Sequence, residues 1–263
     1  MDHHSGQSIC HGGEAGNVSK LGAEMKLGHV TLGIMAKYWQ PTAVKTRLGV
    51  SIGMANAARL HQLFCAHLVR SLAGAAERQQ LVIAPAERHS DFVGWLAAIG
   101  LDSQWELEQQ VDGDLGVRMR HWFERCLDGE PLGASRCPAR VLIGADCPLV
   151  SPAIINDAWQ QLQQHDVVLG PAEDGGYYLI GLRGWSTRYE GLFQGIHWSS
   201  ESVFEQTIQH AEKAGLRVAT LPIQSDVDTE DDLLRLRQTL DHSTDRMLQD
   251  LAEQIERILA GGE

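Results

Sequence analysis

Residues 166–181, DVVLGPAEDGGYYLIG, constrain the fold most. Two apolar runs flank a short polar turn that carries Glu173 and Asp174 at its tip. Apolar runs this short, bounded by glycine and proline, read as buried strands. So few residues separate 167–169 from 177–182 that the two strands are expected to lie side by side, as an antiparallel departure within a sheet. Gly175 and Gly176 permit the turn and leave room for a ligand to approach the backbone. Upstream, residues 141–148, VLIGADCP, repeat the logic: an apolar strand ends in Gly144, Asp146 follows, and Pro148 stops the strand.

From residue 28 onward, strand-like runs alternate with helical patterns. Residues 29–35 alternate Val30, Leu32 and Ile34 as a half-buried strand, and residues 53–72 space Leu60, Leu63, Phe64, His67 and Leu68 as a helix stripe. Residues 81–84 are a strand stopped by Pro85, residues 91–99 a helix and 105–109 a strand. Residues 114–127 form a helix with Leu115, Met119, Trp122 and Phe123 inward, and 141–144 a strand. Ser151 and Pro152 open a helix, the serine as cap. A helix over 200–214, capped by Ser199 or Ser200, precedes a strand over 217–221. The acids of 228–232 suit the positive end of a further helix, and 244–259 form a separate amphipathic one. This order predicts an α/β fold with a mostly parallel central sheet and helices on both faces. The expected organisation is a leader over residues 1–26, a nucleotide-binding domain over 27–241 and a C-terminal helix over 242–263.

A formal net charge of −12 argues against nonspecific nucleic-acid binding, which needs a basic face. No apolar run approaches the roughly 20 residues that span a bilayer, and the first residues lack the apolar core of a signal peptide, so the cytoplasm is expected. Cys10, Cys65, Cys126, Cys137 and Cys147 form no C-x-x-C pair, which points to free thiols rather than a zinc site or disulfide framework. A homo-oligomer is compatible with the sequence.

The chemistry-bearing residues gather after strands. Lys37, Lys45 and Arg47 follow the first strand, where lysines supply point charge and arginine can bind two phosphate oxygens at once. The P-loop pattern is absent, as are a dinucleotide G-x-G-x-x-G loop and a G-x-S-x-G elbow. Asp114 caps a helix start at which Gly116 allows close packing and a nucleotide contact. Asp146 at a strand end suits Mg2+ or Mn2+, hard ions that take oxygen donors and keep positions open for phosphate. Asp226 and Asp228 offer a further acid pair, with Asp228 the expected partner of Asp146. Gly144 leaves backbone open beside the phosphates. Glu173 and Asp174 are candidates for base, acceptor-binding group or metal ligand, and His197 for acid, base or ligand.

In combination and order, these segments resemble a bacterial glycosyltransferase-like family with the GT-A nucleotide-diphospho-sugar transferase fold. The likeness runs over residues 30–233 and is carried by IMAK (34–37), VKTRL (44–48), DLGVRM (114–119), IGADCP (143–148), LGPAEDGGYYLIGL (169–182), Trp198 and DVDT (226–229). It implies a Rossmann-like GT-A sheet with a nucleotide on its N-terminal half and a divalent metal near Asp146. The KTRL and DVDT segments are also similar to those of phospholactate guanylyltransferases. Lys37 stands where the family often has arginine, QPTA (40–43) replaces an acidic-proline-glycine turn, and Ala145 often is a hydroxyl residue.

The leading expectation is therefore a metal-dependent glycosyltransferase using a nucleoside-diphosphate sugar and an unidentified acceptor. The alternatives are a nucleotidyltransferase acting on a nucleoside triphosphate and a phosphorylated small molecule, or a catalytically silent nucleotide-binding protein.

Overall fold

The computed structural model describes residue 1 and residues 30–125, 139–198 and 200–261. The 1–26 leader, Cys10, Cys126, Cys137 and Ser199 lie outside the described residues, apart from Met1.

The alternating apolar runs form one seven-stranded sheet of order β3-β2-β1-β4-β6-β5-β7. Its strands are β1 (Val30–Lys37), β2 (Arg78–Ala84), β3 (Glu106–Gln109), β4 (Ala139–Gly144), β5 (Val167–Pro171), β6 (Tyr177–Leu182) and β7 (Val218–Thr220). Only β6 runs against its neighbours, β4 and β5, as the short turn before it requires. The remaining pairs are parallel. Parallel strands need covered faces, and both are covered here. On one face Leu32, Ile34, Val141 and Ile143 pack against Leu68 of α2 (Met54–Ser71), Phe92 of α3 (His89–Ala98) and Ile155 of α5 (Pro152–Leu162). On the other, Val82, Leu142, Leu169 and Ile180 meet Trp122 of α4 (Leu115–Glu124), Leu192 of a 3-10 segment (Thr187–Phe193) and Ala211 of α6 (Val203–Lys213).

A third apolar cluster joins α2 to α1 (Thr46–Ile52), α7 (Glu230–Asp241) and α8 (Arg246–Leu259). Leu251 and Ile255 of α8 are buried in it, so the amphipathic C-terminal helix packs on the body of the protein. No helix among the described residues is long and apolar enough to cross a membrane.

Three local expectations are corrected. Leu115 is not inward: it lies on the first turn of α4, 44% exposed, and lines a cavity. The α6 helix begins at Val203 with Ser202 at its N-cap, so Ser200 does not cap it; its hydroxyl donates to the His197 carbonyl instead. Ser151 stands at the N-cap of α5, but its side chain makes no capping bond.

Gly33 in β1 shows how tightly the second face is filled. A Cβ there would stand 2.5 Å from Trp122 Cζ2 and 2.8 Å from Leu142 Cδ1. The Trp122 ring is held from two further sides, by a 3.0 Å bond to Gln80 and by the Arg140 guanidinium 3.9 Å from its ring centre. Gly33→Ala is expected to destabilise the protein by about 1–3 kcal/mol through overpacking, read as a lowered midpoint in urea unfolding.

Candidate active site

The site is built where β1, β4, β5 and β7 end, at the carboxyl edge of the sheet, the usual ligand crevice of open α/β folds. The β1–β4 register places Met35 beside Gly144, so Lys37 and Asp146 leave the sheet as neighbours. After β7 the chain runs along β5: Gln224 exchanges backbone bonds with Pro171 and Glu173, and Val227 N–H donates to the Asp146 carbonyl at 3.1 Å. This brings Asp226 and Asp228 to Asp146. Asp228 is then fixed by the start of α7, where Thr229 and Asp232 form a capping box and Asp232 also accepts from the Asp228 N–H at 3.0 Å.

Lys45 is the centre. It is the N-cap of α1 and adopts a left-handed backbone, φ 48° and ψ 41°, which costs a non-glycine residue on the order of 1–2 kcal/mol. Its side chain is only 2% exposed. The ammonium forms ion pairs with Asp146 and, at 2.8 Å, with Asp228. Burial alone would lower the Lys45 pKa, but the two carboxylates overcome it and hold the group above its ordinary value. For Asp146, burial opposes ionisation, and Lys45 outweighs it, so the carboxyl stays below its usual range. Asp146 and Asp228 nevertheless remain 50% and 41% exposed, so both keep a face open to a ligand.

These groups line a cavity of about 770 Å³. One end carries Lys37, Lys45, Arg47, Asp146 and Asp228; Asp174 and Asp226 also line it, and a wall carries Met119, Tyr177, Trp198 and Val203. Asp114 and Gly144 line it too. Asp114 accepts from Val117 N–H at 2.9 Å and so caps α4. Gly116 has no Cβ because the Trp198 ring and the Phe193 carbonyl lie against it, 2.6 and 2.7 Å from where one would stand.

The structure divides the two candidate bases. Asp174 faces the cavity, held by a 2.8 Å bond from Gly176 N–H. Glu173 does not line it and lies 3.5 Å from Arg235. His197 also lies off the cavity lining. Two further lining residues shape the electrostatics of the site. Asp226 is one: burial, with Asp174 and Asp228 beside it, pushes its carboxyl up to about 6. His61 of α2 is the other. It is 4% exposed, with Nε2 3.0 Å from the Lys37 carbonyl and Nδ1 3.8 Å from Asp146. His61 falls on the buried stripe of α2, where only its position under Lys37 distinguishes it.

The donor set suits a hard divalent cation of the magnesium kind. Asp146 and Asp228 offer two oxygen ligands with open faces, and such an ion completes its shell with water and phosphate. Among the described residues no group of three His, Cys, Asp or Glu side chains is arranged to hold a metal. The charge balance favours a cation: the lining holds five aspartates against Lys37, Lys45, Arg47 and Arg118.

Comparison with known proteins agrees with this architecture. The DUF2064 family, described as an uncharacterized protein conserved in bacteria, matches residues 68–200. A protein of Desulfovibrio desulfuricans G20, provisionally assigned as a nucleotide-diphospho-sugar transferase, is 30% identical, with a TM-score of 0.75 over 89% of this chain and 97% of that one. The chain belongs to the DUF2064 family. Fold similarity alone extends to a nucleotidyl transferase from Methanothermobacter (14% identity, TM-score 0.52, 81% and 97% covered). It also extends to the 4-diphosphocytidyl-2C-methyl-D-erythritol synthase of Anaerococcus prevotii DSM 20548 (11%, 0.51, 81% and 98%). These likenesses agree with the Rossmann-like, mostly parallel fold of nucleotide-diphospho-sugar transferases. No curated protein matches the chain.

The raised Asp226 carboxyl gives a pH prediction. The folded protein holds this proton more tightly than the unfolded chain, so protonation favours folding, and this group's contribution falls as pH rises from about 4 to about 6. Asp226→Asn should therefore raise the melting temperature at pH 8 and leave it nearly unchanged at pH 4.5. Thermal unfolding at the two pH values checks this.

Proposed function

We propose that this DUF2064 protein is a metal-dependent transferase that uses a nucleoside-diphosphate sugar as donor. The observation that carries the reading is the Lys45 ammonium shared by Asp146 and Asp228 at the floor of a cavity that also holds Lys37 and Arg47. A lining with more carboxylates than cations repels a bare polyphosphate, so the substrate is expected to enter with a divalent ion, Mg2+ or Mn2+. Asp146 and Asp228 would hold that ion through their open faces. When bound, it neutralises charge on the diphosphate as the nucleotide leaves.

This chain's own side chains do the rest. Lys45 holds the two carboxylates in place before substrate arrives, so little reorganisation remains during reaction. Lys37 and Arg47, at the rim, take phosphate oxygens, and the start of α4 with Asp114 flanks the nucleotide. Asp174 and Asp226 face the acceptor end, where carboxylates accept hydrogen bonds from hydroxyl groups. In this role Asp174, rather than Glu173, orients the acceptor hydroxyl and takes its proton. Tyr177 and Trp198 supply a wall on which a sugar or acceptor ring can pack.

Nucleotidyl transfer is the competing reading, because the same cations and carboxylates accommodate a nucleoside triphosphate. The products distinguish the two. Glycosyl transfer releases a nucleoside diphosphate, whereas nucleotidyl transfer releases pyrophosphate. A panel of nucleotide-sugars and nucleoside triphosphates, tested with Mn2+ and assayed for both products, is expected to yield nucleoside diphosphate. Pyrophosphate release would overturn the sugar-donor reading and keep the metal site. Asp146→Ala is expected to lower turnover at least ~100-fold, about 3 kcal/mol of transition-state stabilisation; because it also leaves the buried Lys45 ammonium with one carboxylate and lowers stability, turnover is compared at a temperature at which circular dichroism shows the variant folded. Full activity with the metal chelated would contradict the scheme.

A further inference from the structure

Leu115 is an exposed leucine inside a binding cavity, and the residues around it continue its apolar surface inward. It opens α4, is 44% exposed and lines the cavity mouth. Met119 stands one helical turn on, on the same face of α4, and is buried in the cavity wall. Between them lies Gly116, and the Trp198 ring fills the notch, with Cζ2 2.6 Å from where a Cβ would stand. Tyr177 meets Met119 from the sheet, its hydroxyl 3.8 Å from Sδ. That hydroxyl is buried, so the ring is what the cavity meets. Leu115, Trp198, Met119 and Tyr177 thus form one apolar track from solvent to the turn that holds Asp174, three residues before Tyr177. Polar groups beside the track are turned to protein partners. Ser200 Oγ donates to the His197 carbonyl at 2.7 Å, and the Arg118 guanidinium donates to the Gly113 carbonyl at 2.9 Å and to Gln110 at 3.4 Å. A free sugar carries hydroxyl groups on every edge, and those facing this track would lose water without gaining a partner. An apolar body placed there gains by leaving water.

We propose that the acceptor is an amphipathic alcohol: its hydroxyl meets Asp174, its apolar body lies along Tyr177, Met119 and Trp198, and its far end leaves the cavity over Leu115. The inference rests on the transferase reading given above and names the class of acceptor for it. In the transfer the alcohol oxygen bonds to the anomeric carbon of the donor as the bond from that carbon to the diphosphate breaks. The nucleoside diphosphate leaves with the electron pair, and the alcohol proton goes to Asp174. The carboxylate takes any hydroxyl that reaches it, so selection among alcohols falls to the track.

Contact with the track needs neither nucleotide nor metal, so it is probed on the full chain with a chelator present. The probes are benzyl alcohol, 4-butylbenzyl alcohol and glucose. The readout is the 13C methyl resonance of Met119, assigned with Met119→Leu. Benzyl alcohol is expected to move it saturably. The butyl compound is expected to bind at least ~tenfold more tightly, because its added carbons leave water along the track. Glucose is expected to leave the resonance in place. Leu115→Ser, at a half-exposed position, should melt near the wild type and bind benzyl alcohol unchanged, while the advantage of the butyl compound shrinks at least ~threefold. Glucose moving the resonance as strongly as the alcohols, or neither alcohol moving it, would overturn the inference. So would equal affinity for the two alcohols, or an undiminished butyl advantage in Leu115→Ser. Should that variant not fold, the three probes on the unaltered chain decide. Pyrophosphate release in the product assay would instead remove the sugar-donor reading, a result on which these binding measurements do not depend.

Discussion

A buried ammonium held between two half-exposed carboxylates organises this protein. Lys45, Asp146 and Asp228 come from three distant parts of the chain: the loop after β1, the end of β4 and the entry to α7. Taking a lysine out of water is unfavourable on its own, and the left-handed backbone at Lys45 adds to the cost. Both are offset only when the two carboxylates arrive together. The surrounding backbone ensures this, through the bond from Val227 to Asp146, the bonds that tie Leu221 and Gln224 to residues 169–173, and the capping box that fixes Asp228.

The same arrangement gives the cavity its electrostatic character. Lys45 is consumed by its two partners, leaving Lys37 and Arg47 as the cations at that end, while Asp174 and Asp226 raise the negative charge of the lining. The elevated Asp226 carboxyl is a direct sign of this crowding. Under the proposed function, such a lining takes a polyphosphate as its metal complex and turns its free carboxylates toward an acceptor hydroxyl. The helices supply the remaining surfaces: α2 brings His61 beneath Lys37, and α4 brings Met119 opposite Tyr177, with Trp198 wedged over Gly116.

The architecture was legible in the sequence because parallel strands buried on both faces leave continuous apolar runs. The one antiparallel strand announced itself through the short turn after residue 171. Residues standing just after strands, such as Lys45, Asp146 and Asp228, could be nominated because the edge of an α/β sheet is where ligands bind. Three kinds of information were not local and were missed. His61 reads as one more member of a buried helix stripe, since nothing in residues 53–72 says that Lys37 will lie over it. Glu173 and Asp174 are adjacent and chemically alike, and only the packing of the 172–176 turn against the segment before α6 sends one into the cavity and the other towards Arg235. Leu115 fits the apolar period of α4, but its position on the first turn puts it at the cavity mouth rather than in the core.

The central claim is that Asp146 and Asp228, held by Lys45, seat a divalent ion that a diphosphate shares. Anomalous diffraction from crystals grown with Mn2+ and a nucleoside diphosphate tests it most directly. The account predicts an anomalous peak between the open faces of Asp146 and Asp228, with phosphate oxygens completing the shell toward Lys37 and Arg47. A nucleotide bound elsewhere, or manganese density away from both carboxylates, would contradict it.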